Sequence, residues 1–170
     1  MTRIMVIGNA GNSKTTLCKQ LGIRLGIAVF HIDSLQWQPG WRRTPTEEFA
    51  RFHDDILQRE RWIIDGFGPD DSIEKRAAAA DTIIFSDYPL WLSYLWACKR
   101  QIQHAYRPRP ELPADCPMLP KTWELAQVMW YVHTQFRPRI FGLLEQYWGQ
   151  KDIIRLTSPH ATERWLQSVA

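Results

Sequence analysis

The sequence predicts an α/β fold, a five-stranded parallel sheet with helices on both faces, and three observations carry that reading. Five short apolar runs recur along the 170 residues: RIMVIG, IAVFHID, RWIID, DTIIFSD and DIIRLTS. Each is rich in Ile or Val and apolar almost throughout, as strands covered on both faces must be. Helical patterns separate the runs, which is the alternation that parallel crossovers need. A chain of this length suits one compact domain, so residues 1–170 are expected to form a single unit.

Each element has its own warrant. RIMVIG opens the sheet. Thr15–Leu25 then repeats Leu17, Leu21 and Leu25 at helical spacing. After IAVFHID, the stretch TPTEEFARFHDDIL reads as a helix with Thr44 as N-cap, Pro45 in the first turn and Glu47 completing a capping box. Phe49, Phe52 and Ile56 form its apolar stripe. RWIID, the helix SIEKRAAAA and the strand DTIIFSD follow, then a long helical pattern, LWLSYLWACKRQIQHAY. RPRPELPADCPMLP holds five prolines in fourteen residues, which excludes a regular helix or central strand and leaves an ordered loop or a mobile flap. Two helical stretches, TWELAQVMWYVHTQF and RPRIFGLLEQYW, lead to the last strand and a terminal helix from about Thr162.

The chemistry starts at GNAGNSKTT, directly after the first strand and opening the first helix. It matches the phosphate-binding pattern G-x-x-x-x-G-K-[ST] at Gly8, Lys14 and Thr15, and the strand–loop–helix context makes the match specific. Backbone N–H groups from Asn9, Ala10, Gly11, Asn12, Ser13 and Thr16 surround a phosphate in such a loop, helped by the helix dipole. Lys14 reaches the terminal phosphates of ATP, and Thr15 places its hydroxyl on Mg²⁺. The fold expected is therefore a P-loop NTPase three-layer sandwich. Ser13 stands where the pattern has its second glycine. A β-carbon there crowds the loop, although serine is small and Gly11 and Asn12 tolerate unusual turns.

Two aspartates end neighbouring strands, Asp33 in FHIDS and Asp65 in WIIDG. The carboxyl ends of strands in an open parallel sheet line the ligand crevice. Carboxylates there hold Mg²⁺ or accept a proton from an attacking hydroxyl; the alternative is that each caps a loop or helix. Asp87, with Pro89 close behind, reads as a turn residue. Arginines gather in the second half: Arg100, Arg107, Arg109, Arg137 and Arg139. Their forks suit the spread charge of a transferring phosphoryl group, and Arg100, Arg137 and Arg139 flank a basic, lid-type segment of about residues 100–139. His31, Trp37 and Trp41 surround Asp33, where rings either stack on a planar ligand or close the edge of the core. His133 and the tryptophans at 91, 96, 123 and 130 read as packing residues, or the tryptophans as a self-association face that would make a homodimer.

Other classes are excluded or weakened. The N-terminus lacks a signal-peptide core, and no apolar run approaches the ~20 residues of a membrane span. Cys18, Cys98 and Cys116 have no metal-type spacing, so a reduced, cytoplasmic protein is expected. Residues 1–90 hold 11 Lys/Arg against 12 Asp/Glu and the remainder 10 against 6, a weak basic bias that suits small-molecule phosphates but no nucleic-acid footprint.

With these pieces placed, the chain resembles the adenylate-kinase-related P-loop proteins called DNA topology modulation proteins. The resemblance rests on the variant loop, HIDSLQWQPGW, RWIIDG, DTIIFSDYPLWL, the RPRPELPADCP segment, RPRI and IIRLTS. It implies a nucleoside-monophosphate-kinase-like fold, an ATP site at Gly8, Gly11, Lys14 and Thr15, and Asp65 as the Mg²⁺-linked carboxylate. The chain departs from the family at Ser13. It also departs after DGF, where GPDDS replaces the arginine that adenylate kinases use to hold AMP. Asp70 and Asp71 there repel a phosphate, so a neutral or cationic hydroxyl acceptor fits better than AMP. The function expected is phosphoryl transfer from ATP·Mg²⁺ to a nucleoside, nucleotide or similar hydroxyl acceptor. The alternatives are a nucleotide-binding regulator with little turnover and a weak ATPase.

Overall fold

The computed structural model describes residues 1–105 and 111–169. A five-stranded parallel sheet forms its centre, built from β1 (Arg3–Gly8), β2 (Val29–His31), β5 (Trp62–Asp65), β6 (Thr82–Ser86) and β7 (Asp152–Leu156) in the order β2-β5-β1-β6-β7. Alternation along β1 explains the layers. Ile4 and Val6 face one side, where they meet Leu17, Cys18 and Leu21 of α1 (Lys14–Leu25) and Leu166 of α8 (Pro159–Ser168). Met5 and Ile7 face the other, against Phe49 and Ile56 of α3 (Thr46–Leu57), Ile73 of α4 (Asp70–Ala79) and Ile140 of α7 (Arg137–Gln146). Burial on both faces is what the unbroken apolar runs foretold. Ile4, Ile7, Ile63, Ile64, Ile83 and Ile84 are each fully buried, worth about 2 kcal/mol apiece in transfer terms.

Several elements differ from expectation. IAVFHID contributes only three residues to its strand, because the chain turns at Ile32 into a short helix, α2 (Ile32–Gln36). A two-stranded antiparallel hairpin follows, β3 (Trp37–Gln38) with β4 (Arg42–Arg43), which the sequence did not announce. That hairpin removes the capping box: the Thr44 amide donates to the Gln36 carbonyl, and α3 begins after Pro45 with no side-chain cap. The buried face of α3 is Phe49, His53 and Ile56, whereas Phe52 is exposed. At the other end, Ser158 caps α8 by accepting from the Ala161 amide, and Pro159 occupies the first turn, so that helix starts before Thr162.

The second half is dominated by α5 (Leu90–Gln103) and by α6 (Thr122–Tyr131), which runs through a π-helical turn at Val132–Phe136 directly into α7. Pro138 lacks the N–H that would bond back one turn, so the helix widens where two separate helices were expected. The tryptophans at 91, 123 and 130 are not packing residues; they are 67%, 73% and 59% exposed. Among the described residues no helix is long and apolar enough to cross a membrane.

Candidate active site

The phosphate loop, residues 8–13, emerges from β1 and is tied down by polar contacts on three sides. Asn12 donates from Nδ2 to the Ser86 carbonyl (2.8 Å) and accepts at Oδ1 from the Ser93 hydroxyl (2.5 Å). Ser86 returns a bond from its hydroxyl to the Asn12 carbonyl. Asn9 donates from Nδ2 to the Met129 carbonyl in α6, so the loop touches the helix after the proline-rich segment. Two glycines are obligatory for this packing. A Cβ on Gly8 (φ +151°) would lie 2.2 Å from the Ser86 carbonyl oxygen, and one on Gly11 (φ +79°) 2.2 Å from that of Ser93. The side chains of Asn9 and Asn12 thus serve the loop's shape.

Ser13 has φ +54° and ψ +16°, the left-handed region that glycine enters freely. This is the physical reason the pattern has glycine there. Serine reaches the same conformation, and its buried Oγ meets no hydrogen-bond partner. The loop keeps the required shape at a strain cost of about 1 kcal/mol.

Lys14 and Thr15 open α1. Lys14 is half-buried, with Nζ donating to the Asn9 carbonyl at 2.8 Å. Burial lowers its pKa, while the charges of Asp65 and Asp33 pull it back up. Thr15 donates its hydroxyl to Asp65 Oδ2 at 3.2 Å. The other Asp65 oxygen lies 2.6 Å from His31 Nδ1, and this hydrogen bond raises the His31 pKa against burial. The strand register produces the pairing, since His31 and Asp65 are neighbours across β2 and β5. His31 therefore orients Asp65, a role the sequence left between ligand stacking and core edge.

Sequence reasoning also missed Arg76. Fully buried in α4, it donates to the carbonyls of Ser72, Gly66 and Phe67. Burial lowers its pKa to about 10, opposed by the nearby charge of Asp65. It pins the turn after β5 and with it the Asp65 backbone. A single arginine inside the helix SIEKRAAAA was the available signal.

Two clefts flank Thr15. One, of about 310 Å³, is lined by Gly11, Ser13, Thr16, Trp96, Lys99 and Glu111, together with Thr15 and Arg100. The other, of about 520 Å³, takes in Asn9, Ala10, Lys14, Asp33, Asp65 and the aromatic rings of the hairpin and of α6, and again Thr15 and Arg100. Asp33 stands in the first turn of α2 rather than at a strand end, half-buried and lining the larger cleft.

The remaining arginines divide. Arg137 lines neither cleft and forms a two-pronged ion pair with Asp87, Nε to Oδ1 at 2.7 Å and Nη2 to Oδ2 at 3.0 Å. Arg155 joins the same carboxylate at 2.7 Å, and both guanidiniums stack on Phe141. Asp87 is thus an anchor between β6, β7 and α7, not a turn residue, and Arg137 belongs to that anchor. Arg139 is largely exposed and pairs with Asp70 at 3.5 Å, at the rim of the larger cleft. Arg107 and Arg109 lie outside the described residues. His133 is half-buried beside Asp87 and Arg137 in a small cavity, not in the core.

Thr15 and Asp65 supply hard oxygen donors of the kind Mg²⁺ takes. Among the described residues no group of three or more His, Cys, Asp or Glu side chains converges to hold a metal. A cation at Thr15 and Asp65 would therefore rely on substrate phosphate oxygens, as Mg²⁺ does in phosphoryl-transfer sites.

No protein-family profile matches the chain, and no curated protein matches it in sequence. Solved structures do match it in fold. A shikimate kinase from Acinetobacter baumannii in complex with shikimate aligns with TM-score 0.60 at 11% identity, over 99% of this chain and 90% of that one. A shikimate kinase from Bacteroides thetaiotaomicron aligns with TM-score 0.52 at 18% identity, over 98% of this chain and 94% of that one. A sugar kinase from Janibacter sp. HTCC2649 gives TM-score 0.52 at 14% identity, with the same coverage. The chain has the fold of small-molecule P-loop kinases.

Proposed function

We propose that the protein is an ATP·Mg²⁺-dependent small-molecule kinase acting on a hydroxyl acceptor such as a nucleoside or nucleotide. The observation that carries this reading is the junction of the two clefts at Thr15 and Arg100. Thr15 and Arg100 line both clefts, and Lys14 lines the larger one beside them. The smaller cleft, against the N-terminus of α1, takes the nucleotide; the larger takes the acceptor.

The roles follow from the chemistry of each group. The acceptor hydroxyl oxygen attacks the γ-phosphorus. The bond from that phosphorus to the β–γ bridging oxygen breaks, its electrons leave on ADP, and Asp33 takes the hydroxyl proton. Lys14 and Arg100 neutralise charge on the transferring group. Thr15 and Asp65 would hold Mg²⁺, which would supply charge neutralisation on the phosphates. Arg100, in the last turn of α5, and Arg139, at the rim of the larger cleft, are the described arginines of the lid-type segment expected at about residues 100–139.

Lys14→Ala tests the site. Wild-type protein should gain thermal stability with ATP·Mg²⁺, and the variant should lose that gain and at least ~10³-fold in turnover, the scale of a missing charge stabiliser. An unchanged response to ATP·Mg²⁺ in the variant refutes the assignment.

A second reading has a specific observation behind it. Ser13 is strained, and the Ala10 amide and Lys14 Nζ are both taken up by Asn9. A nucleotide-binding regulator of the topology-modulation type, or a weak ATPase, fits such a self-satisfied loop, with exposed Trp91, Leu95, Trp123 and Trp130 as its partner surface. Tight ATP·Mg²⁺ binding without a phosphorylated product from any acceptor favours it.

A further inference from the structure

The larger cleft has a composition that selects its occupant. Two aromatic groups from different parts of the chain line it. Trp37 and Trp41 of the hairpin meet edge to face with ring centres 5.4 Å apart. Phe67, after β5, meets Phe136 edge to face at 5.4 Å, and Tyr131 tilts toward Phe136 at 6.2 Å. Leu125, Val128 and Met118 add apolar wall.

The charges of this cleft are largely spoken for. Lys121 gives both oxygens of Glu124 a hydrogen bond at 2.8 Å, and the Arg43 guanidinium lies over the Trp37 ring at 5.5 Å. Asp70 takes Arg139 at the rim. Lys14 and Arg100 stand at the end shared with the nucleotide. Beyond that end, Glu124 and Asp70 are matched by Lys121 and Arg139, which leaves Asp33 as the carboxylate facing the cleft without a cation of its own among the described residues. A carboxylate or phosphate on the acceptor close to Asp33 would meet that charge, while among the described residues Lys121 and Arg139 are already paired with carboxylates. A flat, uncharged ring would find stacking surfaces of the kind aromatic side chains offer.

The hairpin is also strapped to the described part of the proline-rich segment. Trp41, itself in the left-handed region at φ +58°, donates from Nε1 to the Pro117 carbonyl at 3.0 Å, and Cys116 Sγ lies 3.7 Å from the Gln38 carbonyl. These bonds hold the Trp37/Trp41 pair in place over the cleft.

We infer that the acceptor is an uncharged planar aromatic ring system carrying a hydroxyl-bearing arm, the chemistry of a nucleoside, and not an anionic polyol or nucleotide. The ring stacks among Trp37, Trp41, Phe67, Tyr131 and Phe136, and the hydroxyl lies at Asp33 facing the γ-phosphate. This rests on the kinase reading of the same site.

The test separates the two. With a non-hydrolysable ATP analogue and Mg²⁺ present, calorimetry measures binding of four uncharged nucleosides and of three anions, AMP, shikimate and gluconate. Phosphorus NMR with ATP reads any phosphorylated product. The expected result is binding and phosphorylation of at least one nucleoside and of none of the anions. Trp37→Leu, which keeps an apolar side chain but removes the ring, should weaken nucleoside binding about tenfold, while Trp37→Phe restores most of it and analogue binding is unchanged in both. Asp33→Asn should abolish product and leave nucleoside binding within about threefold. Phosphorylation of an anionic acceptor without nucleoside binding overturns the inference and leaves the kinase intact. Analogue binding with neither binding nor phosphorylation of any nucleoside overturns it too. Failure to bind the ATP analogue at all overturns the kinase reading itself.

Discussion

The two clefts on either side of Thr15 are built on opposite plans. The smaller is lined on one side by the loop at Gly11 and Ser13 and on the other by α5 side chains such as Trp96 and Lys99. The loop is held from behind by a polar lattice: Asn12, Ser86 and Ser93 hydrogen-bond one another, and Gly8 and Gly11 lie against carbonyl oxygens with no room for a β-carbon. The larger is walled by aromatic side chains from segments far apart in sequence, strapped by bonds such as Trp41 to Pro117. In the proposed kinase, phosphates present the same geometry in every nucleotide, so a rigid backbone cradle would suit them. The proposed acceptor would be recognised by shape and surface, which side chains can vary without disturbing the cradle. The contrast is between a part that tolerates almost no substitution and a part whose substitutions should alter selectivity before stability.

Substitutions can break this contrast, and the largest effect should come from the cradle. Gly11→Ala puts a Cβ 2.2 Å from the Ser93 carbonyl oxygen at φ +79°, so chemical denaturation should show a loss of about 3 kcal/mol or more. If the loss is below about 1 kcal/mol, the loop is less rigid than its contacts imply.

Arg76→Ala comes next. It leaves the Gly66 and Phe67 carbonyls without their donor, at a cost of about 2–3 kcal/mol in the same assay. Because Arg76 holds the turn beside Asp65, Mg²⁺ dependence of ATP binding should weaken as well.

Ser13→Gly runs in the opposite direction. Relief of the left-handed conformation should stabilise the protein by about 1 kcal/mol. A destabilised variant would mean that serine makes the loop better, not worse, than glycine.

The smallest effect belongs to Asp81, at the opposite ends of the strands from both clefts. Burial alone would raise its pKa, yet hydrogen bonds from Thr82, Thr2 and the Arg3 amide bring it down to about 2. A depressed folded-state pKa contributes stability above the ordinary carboxylate value, and that contribution disappears as pH falls from about 4 to about 2. Asp81→Asn should therefore be less stable than wild type at pH 7, by less than about 1 kcal/mol for so exposed a group, with the gap closing near pH 2. Nucleotide and acceptor binding should not change.

The parts of the site that could be read in advance are those whose chemistry is local. The strand–loop–helix geometry around Gly8, Lys14 and Thr15 was legible because it needs only a contiguous turn and a helix start. Asp65 was legible because it ends a buried strand. Arg137 was misread for the same reason in reverse: a cation beside a basic segment looks like a phosphate ligand, and nothing local shows that Asp87 lies against it. Arg76 and the bond between His31 and Asp65 were invisible, since each depends on which strand or turn comes to lie alongside.

The sequence by itself therefore determined the parallel sheet, the two helical layers and the loop between β1 and α1, because strand burial, helical spacing and a loop–helix motif are all properties of neighbouring residues. Tertiary structure alone decided the site's second half. It decided that Arg137 and Arg155 share Asp87, that Arg76 supports the Asp65 turn, and that Trp37, Trp41, Tyr131 and Phe136 gather around one cleft. Side chains far apart along the chain meet only when the sheet order and the helix directions bring them together, and no local pattern carries that information.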